Sequence, residues 1–392
     1  MSTFEVNIKK ISNVEKHPDA DKLTIVSIDG YKCIANLKDD GTFRYNTGDY
    51  AVYIPEDAVL PDELLKFMGF WDDTKGKGTL AGSSGNRVKA IRLRGVVSQG
   101  LLMPVEVVRL LNFQEYMSNG AMIVHLPNER NIAVVDPTTN IADNLGIHKY
   151  VPEIPVAMAG EVDNYGTSNT VKYDIENIQK YPDVFKEDEY VYVTEKLHGT
   201  LCCVAYNALT PDEFYTYSKG LGNQGLVMKN NDKNKNNVYV RQLNMLRGDM
   251  TCSRIKSYAY DYGFTQVHVF GEIFGKGVQD LSYGQIAPTF RVFDVFVKGP
   301  TVTGWIIPEA LSSLCHYLQL DMVPLLYFGE FSMDKMIELR DGNTMMTNQK
   351  HIREGIVIRA DSDQRDTRIG RKILKFVSPD YLTRKGNTTE YN

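Results

Sequence analysis

The chain has 392 residues, 43% of them hydrophobic, and a formal net charge of −5. That length exceeds one ordinary core and implies two domains, the mild acidity gives no whole-protein attraction to a polyanion, and no apolar run reaches the roughly 18 residues of a membrane span. The N-terminal MSTFEVNIKK lacks an apolar signal-peptide core, so a cytoplasmic location is expected, that of the host if the protein is viral. Cys33, Cys202, Cys203, Cys252 and Cys315 show no CxxC spacing, which argues against structural zinc or a disulfide framework and reads as buried, small apolar residues. Charge is unevenly spread. Eight Lys/Arg lie between Lys219 and Lys256 and seven between Arg365 and Lys385, each tract holding two acids. Such tracts fit a phosphate-facing surface or ordinary solvated charge, and composition alone favours the second.

In chain order, FEVNIKKI, KLTIVSID, YKCIAN, DYAVYIP, VKAIRLRG and QGLLMPV read as short strands separated by turn signals such as Asp29-Gly30, Asp40-Gly41 and Thr47-Gly48. Many strands with little helix predict a small barrel. Thr74 to Asn86 is rich in glycine and serine without apolar periodicity, and reads as a mobile loop. Within this region HPDADKLTIVSIDG, from His17, and RLRGVVSQGLLMP, from Arg92, resemble the OB-type domain of tRNA-binding modules. The resemblance implies a barrel that holds single-stranded or irregular nucleic acid on one face. Lys9, Lys10, Arg92 and Arg94 could serve there, and a purely stabilising barrel is equally compatible.

From Asn112 to Glu161 the pattern weakens, apart from a candidate helix near Asn140–Leu145 and an extended link, KYVPEIPVAMAG, that marks the domain junction. The expected domains are 1–150, the OB-type unit with its linker, and 160–392. Tyr173 to Phe185 is amphipathic before Pro182 and predicts a short helix. From Tyr190 onward strands alternate with helices such as EALSSLCHYLQL and SMDKMIELRDG.

YVYVTEKLHGTLCCVAY, Tyr190 to Tyr206, reads as strand, turn, strand, with Lys196 near the end of the first run. Its KxxG pattern decides little, because the chain holds five, starting at Lys38, Lys66, Lys75, Lys196 and Lys219. What separates Lys196 is the series downstream: Glu272 before a glycine-rich turn, Phe293-Asp294 in an apolar strand, Glu354 opening GIVIRA, and Lys372 and Lys375 in a last strand. A buried charge without a partner is strongly disfavoured, so apolar strands each tipped by a charge argue for convergence on one site.

That series resembles motifs I, III, IIIa, IV and V of the covalent nucleotidyltransferases, the ATP-dependent DNA ligases, RNA ligases and mRNA capping enzymes. TEKLHGT, FGEIFG, GVQDLSYG and KFVSPDYL are most similar to RNA ligases, in particular the Deinococcus-type nick-sealing family with an N-terminal OB domain. The implied fold is α+β: an N-terminal OB-type β-barrel and a C-terminal nucleotidyltransferase (ATP-grasp-like ligase) domain of two antiparallel sheets with flanking helices. The implied activity is an ATP-dependent RNA ligase that joins a 3′-hydroxyl to a 5′-phosphate through lysyl-AMP and AMP-RNA. Its partner would be RNA or an RNA-containing duplex, with no membrane and no obligate protein partner. By the resemblance Lys196 is the nucleophile, Glu272 and Glu354 hold Mg²⁺ or Mn²⁺, Phe293 stacks on adenine, Glu195 reads the base, Gly199 and Lys219 line the nucleotide site, and Lys375, with Lys372 second, meets phosphate. Left open are a core role for Phe293, a surface role for Glu195 and a turn role for Lys219.

Two departures stand out. His198 occupies the place where many ligases carry Asp, and Lys372 faces opposite to Lys375 if the strand alternates. A DNA ligase, a capping enzyme or an inert nucleic-acid-binding protein are the alternatives. The first two commonly carry their OB domain after the catalytic domain, and the intact charged series argues against the third.

Overall fold

A computed structural model describes residues 4–105, 140–151, 153–347 and 351–384, together with the backbone of 122–124 and 132–134. The weakly patterned stretch after Asn112 and the end of the second basic tract at Lys385 lie largely outside them. The chain forms two units, one of residues up to 151 with 179–182, the other of 152–178 with 183 onward.

The N-terminal unit is a near-closed barrel. Its sheet runs Leu101–Met103, Tyr50–Ile54, Asn7–Lys16, Leu23–Ile28, Tyr31–Asn36, with every pairing antiparallel. The ten-residue strand Asn7–Lys16 pairs through Asn7–Lys10 with Tyr50–Tyr53 and through Ile11–Lys16 with Thr24–Ile28, and its register slips between Ile11 and Asn13. An extra residue there bends the strand, as barrel closure demands. The motif residues of this unit are structural. His17 is buried, with Nε2 3.1 Å from the Leu93 carbonyl and Nδ1 accepting from the Asp19 N–H at 3.1 Å. Ser98 Oγ accepts from the Ile34 N–H at 2.9 Å, and a side chain at Gly100, whose φ is +92°, would stand 2.7 Å from the Ile54 carbonyl. These residues therefore specify the barrel itself.

The glycine-rich stretch departs from the expected mobile loop. Trp71–Asp72 pairs with Lys77–Gly78, Leu80 N–H donates to the Gly85 carbonyl at 2.8 Å, and Ala81 and Arg87 exchange backbone hydrogen bonds. A Cβ on Gly78 would lie 2.1 Å from the Gly85 carbonyl oxygen, so glycine here permits close backbone packing and not mobility.

The C-terminal unit has two large sheets and, among the described residues, a small pair formed by Arg365–Asp366 and Gly370–Arg371. The larger runs Val162–Asn164, Leu226–Met228, Phe214–Ser218, Thr200–Asn207, Gln266–Phe274, Thr289–Lys298, Thr303–Trp305 and is wholly antiparallel. The smaller runs Glu176–Asn177, Ile373–Val377, Gly355–Ala360, Tyr190–Lys196, Leu325–Glu330. Helices Val238–Gly248, Thr251–Tyr262 and Pro308–Leu318 cover the larger sheet: Leu243 and Val240 pack with Cys202 and Val204, while Ile255, Leu311 and Leu314 pack with Val267, Val269 and Val295. Alternation sends Cys202 and Cys203 into different cores, and all five cysteines are free and buried. The sequence gives no helix signal before the first two of these helices as distinct as the EALSSLCHYLQL pattern, which forms Pro308–Leu318.

The helix expected over Tyr173–Phe185 does not form. Glu176–Asn177 pairs in parallel with Leu374–Lys375, and the Ile178 N–H donates to the Lys375 carbonyl at 2.9 Å. The sheet edge offers this segment partners for its backbone groups, which a helix stopped by Pro182 would supply only briefly. Among the described residues no helix is long and apolar enough to cross a membrane.

The core holds one histidine with a readable signature. His268 is fully buried, hydrogen-bonded at Nδ1 to the Tyr217 hydroxyl (2.9 Å) and at Nε2 to Gln266 (3.1 Å), and burial brings its pKa down to about 3. The unfolded chain takes up a proton near the ordinary histidine pKa while the folded chain does not, so this contribution to stability is full above about pH 6.5 and is lost as pH falls toward 3. In urea titrations between pH 6 and 4, His268→Gln is expected to show a shallower loss of stability than the wild type, by up to about 1.4 kcal/mol per pH unit. Parallel profiles would exclude His268 as a source of acid sensitivity.

Candidate active site

Lys196 ends a strand in which Tyr192, Thr194 and Lys196 are half-buried while Val191, Val193 and Glu195 are fully buried. The first three line a cleft of about 400 Å³, within the rough 300–1,000 Å³ span of small-ligand sites. The expected strand, turn, strand is present, but it is not a hairpin. Tyr190–Lys196 belongs to the smaller sheet and Thr200–Asn207 to the larger, so Leu197–Gly199 carries the chain from one to the other. The lysine therefore stands where the sheets converge. Gly199 makes the crossing possible, because a Cβ there would lie 2.2 Å from the Ile273 carbonyl oxygen and 3.0 Å from Glu272 Cγ.

Both carboxylates of the downstream series reach this point. Glu354 immediately precedes Gly355, the cross-strand partner of Lys196, and its Oε1 accepts from Lys196 Nζ at 2.5 Å. The Glu354 side chain is 1% exposed, and its second oxygen, Oε2, has no hydrogen-bond partner among the described residues. Glu272 comes from the larger sheet, opposite Leu201, and lines the same cleft. Burial pushes its carboxyl up to about 8; Lys196 draws it down and Glu354 raises it further. A buried oxygen without a donor beside a second carboxylate that is reluctant to ionise is a pair short of positive charge. That donor set suits one hard divalent cation, with its other positions filled by water or phosphate.

The remaining predicted residues divide. Lys375 lines the cleft on the strand face it shares with Val357 and Thr194, and no ion-pair partner for it occurs among the described residues. Lys219 opens the short helix Lys219–Asn223 and pairs with Asp174 at 2.6 Å at the cleft wall. Phe293 lines the cleft, its ring centroid 5.1 Å from that of Tyr173. Lys372 is not brought in. Its ammonium sits on the Glu189 carboxylate and also meets Gln364, because strand alternation turns it away from Lys375. Glu195 contributes to the wall, yet its carboxylate points behind the sheet, where the Thr344 hydroxyl, the Met345 N–H (2.8 Å) and Arg353 (3.7 Å) engage it. The carboxylate is thus engaged within the fold, while the residue itself lines the cleft.

Several lining residues escape a sequence reading. Tyr173 and Arg359 lie in the cleft, and both bond Asp294: the Tyr173 hydroxyl donates to Oδ2 at 3.1 Å and Arg359 to Oδ1 at 2.9 Å. Arg359 had a signal, a charge inside the apolar run GIVIRA. Tyr173 had none beyond its hydrophobicity.

The cleft thus brings together, where two sheets converge, a lysine on a buried carboxylate, a second carboxylate and the further lysines Lys375 and Lys219. Residues 189–377 match the RNA ligase family model and residues 5–105 an OB-fold domain model. The fold of the chain is shared with solved forms of the Naegleria gruberi RNA ligase. A substituted form with ATP and Mn has 20% identity and a TM-score of 0.71, covering 97% of this chain and 98% of that one. The form with PPi has 21% identity and a TM-score of 0.70 over the same shares of the two chains. Another substituted form, with AMP and Mn, has 20% identity and a TM-score of 0.71, again covering 97% and 98%. No curated protein matches significantly.

Proposed function

We propose that this protein is an ATP-dependent RNA ligase of the nick-sealing type that carries its OB domain first, acting in a cytoplasmic compartment on RNA-containing duplexes with 3′-hydroxyl and 5′-phosphate ends. The observation that carries the reading is Lys196 on Glu354, with Glu272 and Lys375 in the same cleft. In the first step Lys196 Nζ attacks the α-phosphorus of ATP, a phosphoramidate N–P bond forms and pyrophosphate leaves. AMP then passes to a 5′-phosphate oxygen, freeing the lysine, and a 3′-hydroxyl displaces AMP to form the phosphodiester.

An ammonium is no nucleophile, so the proton on Lys196 must go. Glu354 Oε1, at 2.5 Å, is the acceptor already in contact. Glu272 and Glu354 are the residues that would hold Mg²⁺ or Mn²⁺, whose charge would favour the neutral amine and offset charge on phosphate. Lys375 and Lys219 stand on the walls for the phosphates, and Phe293 offers a ring face to the base. Because each step is a displacement at phosphorus, positioning and charge neutralisation carry the catalysis.

The test is sealing of nicked duplexes whose 3′-hydroxyl strand ends in RNA or in DNA, with ATP and Mg²⁺. RNA-terminated nicks are expected to seal and all-DNA nicks to seal far more slowly. Equal sealing of both would make the enzyme a general polynucleotide ligase, and no sealing of either would overturn the reading.

A further inference from the structure

His198, two residues after the nucleophile, has every polar group of its backbone N–H and ring engaged. Its backbone N–H donates to the Tyr283 hydroxyl at 2.7 Å, Nε2 lies 2.6 Å from Asp280 Oδ1, and Nδ1 lies 2.8 Å from the Tyr381 hydroxyl. Arg384 completes a circuit: its Nη2 donates to both oxygens of Asp280 at 3.1 and 3.0 Å, and its guanidinium lies 3.7 Å from the centroid of the Tyr381 ring. Burial raises the Asp280 carboxyl, but His198 and Arg384 outweigh it and bring it to about 2, so the circuit holds an anion between two nitrogen donors at neutral pH. His198 and Tyr381 are 3% and 0% exposed, which leaves the imidazole no free face for a ligand.

The same C-terminal segment touches the other side of the lysine. The Ser378 N–H donates to the Glu354 backbone carbonyl at 2.8 Å, and Ser378 Oγ donates to Asp341 at 2.8 Å. Residues 378–384 thus grip the Lys196 turn through His198 and the carboxylate of the lysine's partner through its backbone. The Gln279 amide adds a longer contact, 3.4 Å, to the Gly199 carbonyl.

Resting on the ligase reading, we propose that Tyr381 and Asp280 are positioning residues for the adenylylation of Lys196: through His198 they fix the crossing turn so that Nζ stays on Glu354 and in line with the α-phosphorus. His198 in place of Asp is then a structural strut. The circuit serves the step in which the lysine is the nucleophile, and it serves less the final step, in which a 3′-hydroxyl attacks an end that is already adenylylated.

The experiment compares the full-length wild type with Tyr381→Phe, which removes one hydroxyl, and Asp280→Asn, which keeps the shape and removes the charge. Two rates are read: label uptake from α-³²P-ATP with Mg²⁺, over a range of ATP, and sealing of a chemically pre-adenylylated nick without ATP. Misplacing a reacting atom by about 1 Å can cost roughly 10²-fold. Tyr381→Phe is expected to lower the maximal rate of label uptake by about 10- to 100-fold with the ATP KM nearly unchanged, and to leave pre-adenylylated sealing within a few-fold of the wild type. Asp280→Asn should show the same split whether or not Tyr381→Phe folds. Unaltered label uptake in a folded variant, or equal losses in both reactions, would overturn the proposal. A wild type that takes up no label defeats the ligase reading instead, and this proposal with it.

Discussion

Lys196→Ala is expected to take up no label from α-³²P-ATP, and Lys38→Ala to label like the wild type. Both lysines open a KxxG, and Lys38 even supplies the KxDG form. They differ in surroundings. Lys38 is exposed in the barrel unit, next to Asp39 and Asp40. Lys196 lies at the sheet junction with 22% of its side chain exposed, on a carboxylate that is 1% exposed. Alanine removes the amine that the proposed reaction joins to the α-phosphorus, so the expected loss is complete and not a matter of degree. Denaturing electrophoresis after incubation with Mg²⁺ reads the outcome, and acid lability of the wild-type label confirms the N–P linkage. Label that persists in Lys196→Ala, or that vanishes equally in Lys38→Ala, would place the nucleophile elsewhere.

Asp294→Ala is expected to lower the stability of the C-terminal unit by about 3–5 kcal/mol. Asp294 is fully buried, and its two oxygens accept from Arg359 (2.9 Å), Arg371 (2.6 Å), the Tyr173 hydroxyl (3.1 Å) and its own strand's Val295 N–H (3.1 Å). Arg371 is further enclosed by Trp305, 4.1 Å from guanidinium carbon to ring centroid. Alanine leaves two nearly buried guanidinium groups without their anion, and a buried charge stripped of its partner costs far more than the intact pair contributes. Asp294→Asn keeps the shape and one acceptor oxygen but turns the other into a donor and removes the charge, and its loss is expected to fall between zero and that of the alanine variant. Urea unfolding followed by tryptophan fluorescence measures the difference, Trp305 being the local reporter. A loss under about 1 kcal/mol for the alanine variant would show that water or rearrangement satisfies the arginines.

These two residues also mark how far the sequence could be read. Lys196 was legible as part of a series because each member is a charge in or beside an apolar strand, repeated at Glu272, Glu354 and Lys375 in order. Asp294 was visible as a charge in TFRVFDVFV, but its partners Arg359, Arg371 and Tyr173 lie 65, 77 and 121 residues away, and only folding brings them together. The barrel strands were legible from alternation and turn signals. The glycine-rich stretch was misread because glycine signals both freedom and close approach, and composition does not say which. The helix expected before Pro182 failed for a similar reason, since local amphipathicity cannot register an open sheet edge that arrives almost 200 residues later. Lys372 carried the right charge on the wrong face. Strand alternation placed Lys372 correctly, and the motif resemblance alone did not.

The crossing turn at Leu197–Gly199 gives the site an unequal sensitivity to motion. Lys196 and Glu354 lie on neighbouring strands of one sheet, so a small splaying of the two sheets moves them together and leaves their contact intact. Glu272 belongs to the other sheet and would travel away from both. The spacing between the two carboxylates therefore acts as a gauge of how far the cleft is open, while the lysine's own partner is insulated from that opening.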